Sequence, residues 1–345
     1  MAASVRRPHV STKLVIGANG FLGSHVTRQL VADGHEVRAM VRPNAMTVGI
    51  DDLPLTRFHG DIWDNDTLRE AMAGVEDVYY CVVDTRGWLR DPAPLFRTNV
   101  DGTRNVLEVA ENANLRKFVF TSSYVTVGRR RGVVACEDDI IVDRGLTPYV
   151  RSRVQAENLV LEYAKEHGLP AVAMCVSTTY GSGDWGRTPH GAIIAGAAFG
   201  KLPFVMSGIE LEAVGVDDAA RAMILAAECG RVGERYLISE KMISNADVVR
   251  IAADAAGIPA PTKVIPLPVS YALAAIGTVK GRLRGTDEQL SLGSLRLMRA
   301  EAPVDHGKAI RELGWEPRPV EESIREAARF WVGLRDAKRK SKAAG

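Results

Sequence analysis

Residues 13–23, KLVIGANGFLG, join a short apolar run to three glycines, Gly17, Gly20 and Gly23. The apolar run predicts a buried strand, and the glycines fall where this strand would turn into a helix that begins near Phe21. Glycine permits a tight turn and a close approach to the backbone, and a helix N-terminus presents free N–H groups and a positive dipole end. The segment therefore predicts a strand, a turn and a helix whose junction is suited to an anion.

Apolar strand-like runs alternate with helical patterns from Lys13 to Val176. These runs are KLVIGA, EVRAMV, RFHGD, DVYYCVV, KFVFTSS and AVAMCVS. Alternation of this kind predicts a parallel sheet that is covered by helices on both faces. The predicted fold class is α/β, a Rossmann-type doubly wound parallel sheet with a smaller, mixed C-terminal substrate domain.

The pattern also predicts domain boundaries. Residues 11–176 plus about 213–233 are assigned to a dinucleotide-binding domain, and about 177–212 plus 234–332 to the substrate domain. Residues 1–10 and 333–345 are predicted to be disordered tails, because the first lacks an apolar run and the second is rich in basic residues.

Composition narrows the class of protein. The 345 residues are 46% apolar and 25% charged, with a formal net charge of +2. This charge is too small to predict a nucleic acid partner, and no apolar stretch approaches the ~20 residues of a membrane span. The four cysteines have no CxxC spacing and no Cys/His set predicts a metal site, so we expect a cytoplasmic protein with reduced thiols.

The glycine loop predicts where a dinucleotide binds. In a first strand-turn-helix unit, such a loop lets a pyrophosphate approach the backbone and the helix N-terminus. We assign Gly17, Gly20 and Gly23 to the cofactor site, together with Asn19, Phe21 and Leu22 of the same loop. The spacing is GxxGxxG, so a tight turn without a ligand is the alternative.

Arg42 ends the second predicted strand, EVRAMVR, where no acidic residue stands. A carboxylate at this point would accept the ribose hydroxyls of NAD, whereas a guanidinium pairs with the extra phosphate of NADP. The sequence therefore favours NADP(H), with NAD(H) possible and a solvated surface arginine as the alternative interpretation.

Asp61, Ile62 and Val82 follow the third and fourth strands and are also assigned to the cofactor. The carboxylate of Asp61 could accept the adenine amino group, and Ile62 could pack on the ring. A helix-capping role for Asp61 is an equal alternative.

Ser123, Tyr149 and Arg153 form the candidate catalytic set. Tyr149 and Arg153 lie four residues apart in PYVRSRVQAE, and Ser123 lies 26 residues before Tyr149 in FTSSYVTVG. A phenol beside the cofactor can give a proton to a ketone oxygen as hydride reaches the carbon. We expect the charge of Arg153 to lower the pKa of Tyr149 and so to make it a better base in the oxidation direction.

The chain resembles the extended short-chain dehydrogenase/reductases of the NAD-dependent epimerase/dehydratase superfamily. The motifs GANGFLG, GDIWD, TNVDGTRNVLE, FTSSYVTVG and PYVRSRVQAE occur in the order seen in that family. Within it, the chain is similar to dihydroflavonol reductase-like, 3β-hydroxysteroid dehydrogenase-like and hopanoid-associated sugar epimerase homologues. The resemblance covers about residues 13–330 and is specific in the first half.

The resemblance implies roles for the catalytic set. Tyr149 would be the general acid/base and Ser123 would hydrogen-bond the substrate oxygen; Ser122 is the competitor for that role. Arg153 stands in the position of the family's lysine, which holds the nicotinamide ribose and relays protons. A planar guanidinium keeps the charge but needs more room and hardly ever deprotonates. Both Tyr149 and Arg153 are also assigned to cofactor binding, and dimers are common in the family.

Four further residues are assigned to the substrate. They are Trp88, Tyr124, Thr178 and His190. Trp88 could close an apolar site from a loop after the fourth strand, and loop packing is the equal alternative. His190 is more often a surface histidine than a substrate contact.

The function predicted from sequence is an NADP(H)-dependent oxidoreductase that interconverts a carbonyl and a secondary alcohol. The segment PLPVSYALAAIG, residues 266–277, suggests a small lipophilic substrate, although it could equally pack on a partner subunit. One alternative is a nucleotide-sugar epimerase or dehydratase with retained NAD. The other is a non-catalytic NADP-binding sensor, in which Arg153 marks lost chemistry.

Overall fold

The computed structural model describes residues 11–130, 132–142, 145–297 and 302–343. Seven parallel strands form the large sheet in the order β10-β6-β5-β4-β1-β2-β3. These strands are β1 (Thr12–Ile16), β2 (Glu36–Val41), β3 (Thr56–His59), β4 (Asp77–Tyr80), β5 (Lys117–Ser123), β6 (Ala171–Val176) and β10 (Arg235–Ile238). β4 and β6 are buried along their whole length, as strands covered on both faces must be.

Helices pack on both faces of this sheet. One face carries α1 (Phe21–Ala32), α7 (Val216–Cys229) and α11 (Gly307–Leu313). The other carries α2 (Asn65–Met72), α4 (Gly102–Ala110) and α5 (Pro148–Glu166). A four-residue helix, α3 (Ala93–Phe96), is followed by a π-helical turn at Arg97–Asp101 that leads into α4. The predicted doubly wound α/β fold is confirmed.

The remaining elements form a smaller mixed unit. Its three-stranded sheet has the order β11 (Lys241–Ser244), β9 (Glu210–Gly215) and β7 (Thr178–Tyr180), and β8 (Val205–Met206) pairs with β12 (Val264–Ile265). Its helices are α6 (Pro189–Ala198), α8 (Asn245–Ala255), α9 (Leu267–Arg284), α10 (Leu292–Leu297) and α12 (Val320–Ala343). α6, α8 and α12 enclose a separate apolar core, so this unit buries its own hydrophobic residues.

The structure corrects three details of the predicted boundaries. β10 pairs with β6 in the large sheet, although residues from 234 onward were assigned to the smaller domain. Residues 213–215 end β9 of the small sheet, and only the following helix α7 packs on α1. α12 continues to Ala343 in place of a tail that begins at 333. A four-residue strand and a basic helix end have too little apolar periodicity to be detected alone. The predicted tail 1–10 lies outside the described residues.

Candidate active site

The glycine loop turns as tightly as its sequence predicts. Gly17 has φ +83°, a conformation that side chains rarely adopt, and its N–H donates to the carbonyl of Met40 over 3.0 Å. A Cβ atom at Gly23 would lie 2.2 Å from the carbonyl oxygen of Gly17. Only glycine at both positions therefore allows the start of α1 to approach the end of β1 this closely.

A cavity of about 690 Å³ lies beside this loop, at the carboxyl edge of the large sheet. Its size falls within the ~300–1,000 Å³ typical of ligand and cofactor sites. Seven residues predicted to bind the cofactor line it: Gly17, Asn19, Gly20, Arg42, Asp61, Ile62 and Val82. The structure thus places residues from four different strand ends around one cavity. Five residues that are assigned to the cofactor are not among the lining residues: Phe21, Leu22 and Gly23, which form the first turn of α1, and Tyr149 and Arg153 on α5.

The far end of the cavity carries groups suited to a nucleoside. Arg42 is exposed just after β2, and Asp61 is half-buried just after β3. The helix-capping role weighed for Asp61 belongs to Asp64, whose carboxylate accepts from the N–H of Thr67 over 3.1 Å. Asp61 therefore keeps its carboxylate for the cavity that it lines.

Trp63 and Arg97, which sequence analysis missed, also line the cavity. The guanidinium of Arg97 lies 5.4 Å from the centre of the Trp63 ring. Trp63 directly follows the GDIWD motif residues Asp61 and Ile62, and an exposed aromatic at a strand end is the signal that could have identified it.

Asn99 fixes the loop at the middle of the cavity. Its side-chain oxygen accepts from the N–H of Asp84 over 2.8 Å, and its nitrogen donates to the Asp84 carbonyl and to Ser152 Oγ, both over 3.0 Å. Ser152 in turn donates to the carbonyl of Tyr149 over 2.8 Å. This chain of hydrogen bonds joins the cavity wall after β4 to the helix that carries Tyr149, the candidate proton donor. Its π-helical setting is frequent at functional sites.

Ser123 and Tyr149 are brought together across β5 and α5. Ser123 is the last residue of β5, and its side chain lies near enough to Tyr149 to lower the pKa of the phenol. Ser122 points to the other side of the strand, where its hydroxyl donates to the buried carboxylate of Glu157. Successive side chains of a strand face opposite ways, so only one of the two serines can reach Tyr149.

Arg153 lies on α5, and only 1% of its surface is exposed to solvent. Its Nη2 donates to the carbonyl of Thr121, and the guanidinium carbon lies 5.3 Å from the centre of the Phe120 ring. Nε and Nη1 have no hydrogen-bond partner among the described residues. A buried, charged donor without a partner is costly, so these two N–H groups fit a site where a ligand supplies oxygen acceptors.

The structure corrects the expected pKa of Tyr149. Burial raises the pKa of its phenol, and the charge of Arg153 and the nearby Ser123 hydroxyl act in the opposite direction. Burial prevails and the net shift is upward. Arg153 therefore limits the rise in the pKa of Tyr149 and does not bring it below the ordinary value. At neutral pH the phenol is protonated, as a proton donor must be.

A second polar cluster, formed by Glu157 and Arg235, lies one helical turn beyond Arg153. Glu157 accepts from Arg235 Nη1 over 2.9 Å, from Thr126 over 2.8 Å and from the thiol of Cys175 over 3.1 Å. Burial and the Glu157 carboxylate raise the pKa of that thiol, so Cys175 stays protonated. Sequence analysis missed the pair, because nothing in the sequence connects positions 78 residues apart.

The predicted substrate residues lie on different elements. Tyr124 follows Ser123 in a short 3₁₀ turn, is buried, and carries the guanidinium of Arg129 at 5.1 Å from its ring centre. Thr178 begins β7. His190 lies in the first turn of α6 and makes an edge-to-face contact with Tyr180, with the ring centres 6.2 Å apart. Burial lowers the pKa of His190 to about 4, so the imidazole is neutral at neutral pH.

Trp88 stands apart from this group. It lies half-buried in the loop after β4 and is not among the residues that line the cavity. In the described ranges no group of three or more His, Cys, Asp or Glu side chains could hold a metal ion. Nor does any helix there have the length and apolar character needed to cross a membrane.

A parallel sheet with a glycine turn at its first strand, a cavity at its carboxyl edge and a Ser/Tyr pair beside it defines the class: a Rossmann-type α/β protein built around a dinucleotide site. Residues 13–239 match the NAD dependent epimerase/dehydratase family, and the chain belongs to this family. The resemblance to extended short-chain dehydrogenase/reductases is thereby confirmed, and the family uses NAD(P).

Individual relatives are similar to this chain along almost its whole length. The sterol demethylase protein B of Methylococcus capsulatus is 27% identical over 325 residues, 93% of this chain and 98% of the relative. A ketoreductase of Stigmatella aurantiaca that acts on a farnesylated 3-oxo-dihydroquinoline oxide is 27% identical over 322 residues, 91% and 95% of the two chains. The crystal structure of gox2253 superposes with a TM-score of 0.83 at 32% identity, covering 94% of this chain and 98% of the other.

Proposed function

We propose that this protein is an NADP(H)-dependent oxidoreductase that interconverts a ketone and a secondary alcohol on a small lipophilic substrate. The observation that carries the proposal is the placement of Ser123 beside Tyr149 at the end of β5, with the buried cation of Arg153 on the same helix as Tyr149. The pair offers a carbonyl oxygen two hydroxyl groups. The phenol of Tyr149, protonated at neutral pH, is the proton donor.

The residues present fit a bound dinucleotide. The glycine turn leaves no room for side chains, and the cavity runs past the ends of β1 to β4. The unpaired Nε and Nη1 of Arg153 are suited to the hydroxyls of the nicotinamide ribose. When bound, the cofactor supplies or accepts the hydride.

Each catalytic side chain then has one task. Ser123 orients the substrate oxygen, and Tyr149 gives it a proton in reduction or takes one in oxidation. Arg153 keeps a permanent positive charge near Tyr149, which limits the cost of the tyrosinate formed after the proton has left. A guanidinium hardly ever deprotonates, so the proton that restores Tyr149 reaches it by another path.

Arg42 supports the preference for NADP(H). It lines the cavity at the tip of β2, and no carboxylate stands at that tip to repel a 2′-phosphate. A farnesylated substrate in one relative and the word sterol in the name of another support a lipophilic substrate.

The test compares cofactors first and substrates second. The dissociation constants of NADPH and NADH are measured by fluorescence titration, and we expect NADPH to bind more tightly. In Arg42→Gln the affinity for NADPH should fall about tenfold or more while that for NADH changes little, because one charge-assisted phosphate contact is lost. Arg28→Gln, an exposed arginine paired with Asp52 outside the cavity, is the control.

A panel of ketones, sterols and sugar nucleotides is then tested with the preferred cofactor. Turnover of a ketone or of the corresponding alcohol supports the proposal. NAD that stays tightly bound through purification, with turnover of a sugar nucleotide, would replace it by the epimerase alternative. Tight NADPH binding without turnover of any member would favour the sensor.

A further inference from the structure

Helix α9 exposes several large aliphatic side chains that a helix of this kind usually buries. Four large aliphatic residues on it are exposed, Val269 at 44%, Ile276 at 64%, Val279 at 54% and Leu283 at 83%. With Ala272, which is also exposed, they are spaced three and four residues apart along the helix. That spacing places all five on one face, in a stripe about 21 Å long. We call these five residues the α9 stripe.

The opposite face of α9 is built from small residues. Ser270, Ala274 and Gly281 are buried against the rest of the protein. A Cβ atom at Gly277 would lie 2.0 Å from the carbonyl oxygen of Leu290. The helix packs on its neighbours through these small residues and through Leu267 and Tyr271, and it leaves four large aliphatic side chains outside. The hydrophobic effect accounts for such a stripe only if something outside the described residues covers it.

Basic residues flank the α9 stripe. Lys280, Arg282 and Arg284 are exposed, and at 100° per residue they lie about 60–100° from the middle of the stripe, on both sides. Lys280 pairs with Glu288 over 2.9 Å. An aliphatic face bordered by long cationic side chains is the arrangement of helices that lie in the headgroup region of a bilayer, where the cations reach anionic lipid while the stripe enters the acyl boundary.

We propose that the α9 stripe binds the surface of an anionic lipid bilayer. A second copy of the chain is the less suitable occupant, because a stable protein interface takes about 20–30 residues a side and the stripe offers five. The flanking charges also favour a bilayer over a second copy, because two copies that pair through the stripe would bring the arginines Arg282 and Arg284 of each copy together.

The C-terminal end of α9 lies next to a loop that borders the cofactor cavity. Asp287, just after α9, accepts a hydrogen bond from the N–H of Arg90 over 2.9 Å. The loop that ends at Arg90 carries Trp88 and begins at Asp84, Thr85 and Arg86, which line the cofactor cavity. Membrane contact at α9 would therefore hold this loop close to the headgroups. Its use for substrate entry rests on the proposed lipophilic substrate, whereas the membrane contact itself does not.

Sedimentation with vesicles tests the proposal. The full chain is mixed with vesicles of phosphatidylcholine alone or of phosphatidylcholine with phosphatidylglycerol, and the bound fraction is measured at two salt concentrations. We expect binding to the anionic vesicles that weakens with salt. I276N/L283N should lower the partition coefficient about tenfold or more, and R282Q/R284Q should do the same on anionic vesicles only.

Two matched variants separate the stripe from other surfaces. V232N/I310N removes exposed aliphatic residues elsewhere, at 49% and 43% exposure, and should leave binding unchanged. K338Q/R339Q/K340Q neutralises the basic end of α12. This variant should still bind the anionic vesicles, because the α9 stripe makes the contact. Circular dichroism and cofactor titration show that each variant is folded.

Three results would overturn the proposal. The first is no sedimentation of the wild-type chain with anionic vesicles. The second is binding that survives I276N/L283N and R282Q/R284Q but is lost in the α12 variant. The third is a dimer in analytical ultracentrifugation that I276N/L283N converts to a monomer, which assigns the stripe to a second copy. If the wild-type chain binds anionic vesicles but turns over no ketone, the result would count against the proposed function and not against the membrane contact.

Discussion

Two arginines bond to helix α5 or lie on it, the fully buried Arg153 and the half-buried Arg235, and their hydrogen bonding differs. Arg235, which reaches the helix from β10, donates to the carbonyl of Glu137 over 2.7 Å, to Glu157 over 2.9 Å and to the carbonyl of Asp139 over 3.2 Å. Arg153, in the second turn of α5, has one partner, the carbonyl of Thr121, and leaves Nε and Nη1 unpaired.

The contrast distinguishes a cation whose guanidinium nitrogens all have partners from one that we propose to be a ligand contact. The bonds of Arg235 are complete within the fold, so its charge stabilises β10 against α5 at no cost in unpaired donors. Arg153 keeps two buried nitrogens without a partner among the described residues, near the Tyr149 phenol. Buried polar groups are nearly always hydrogen-bonded, so the two unpaired nitrogens set Arg153 apart from Arg235.

Loss of the Tyr149 hydroxyl should have the largest effect. Tyr149→Phe removes the proton donor, and kcat for ketone reduction should fall about 10²–10⁴-fold with NADPH affinity kept. Tyr163→Phe, on the same helix but outside the site, is the control and should keep full activity. Steady-state kinetics and cofactor titration measure both. Equal losses in the two variants would mean that the hydroxyl acts through folding.

Removing Arg235 should cost stability. Arg235→Met leaves the Glu157 carboxylate buried without its cation, and the free energy of unfolding should fall by about 3–5 kcal/mol. Arg231→Met, which breaks an exposed pair with Glu312, should change it by less than about 1 kcal/mol. Urea unfolding followed by circular dichroism compares the two. Similar small losses would show that the buried cluster contributes little.

Removing Arg153 should cost ligand affinity in place of stability. Arg153→Met takes away two unpaired buried donors, so the free energy of unfolding should stay within about 1 kcal/mol of wild type. The dissociation constant for NADPH should rise about tenfold or more, because hydrogen bonds from a charged group to the ribose are lost. Destabilisation as large as that of Arg235→Met, with unchanged NADPH affinity, would make Arg153 structural too.

The pH dependence should show the smallest effect. Since burial raises the pKa of Tyr149, ketone reduction should stay level through neutral pH, and alcohol oxidation should keep rising toward alkaline pH as the tyrosinate forms. In Arg153→Met the opposing charge is gone, the pKa of Tyr149 rises further, and the oxidation profile should move to higher pH. Profiles of kcat/KM in both directions measure this; a profile that moves to lower pH would contradict the role given to Arg153.

Particular residues show which features of the structure could be predicted from the sequence. The positions of Gly17, Gly20 and Gly23 could be predicted because the requirement for glycine is local to one turn. Arg42 and Asp61 could be placed at strand ends because the carboxyl ends of parallel strands share one edge of the sheet, and the structure puts both on one cavity wall. The Ser/Tyr spacing identified a candidate set, and the opposite directions of Ser122 and Ser123 follow from the strand alternation.

The Glu157–Arg235 cluster, the unpaired donors of Arg153 and the net rise in the pKa of Tyr149 could not be predicted. Each depends on burial and on side chains from separate elements, and a local pattern carries neither. The direction in which Arg153 acts on the pKa of Tyr149 follows from its charge, whereas the larger effect of burial depends on the fold. For the same reason β10 was assigned to the wrong unit, since its place is set by pairing with β6.

The sequence by itself determined the class of fold, the glycine turn and the strand ends that carry the cofactor candidates, because these follow from local periodicity and backbone geometry. Only the tertiary structure decided which arginine is fully bonded, which serine faces Tyr149, and that α9 turns its large aliphatic side chains outward. Those properties depend on which atoms are left without partners after distant segments have packed together, and only the folded chain determines that.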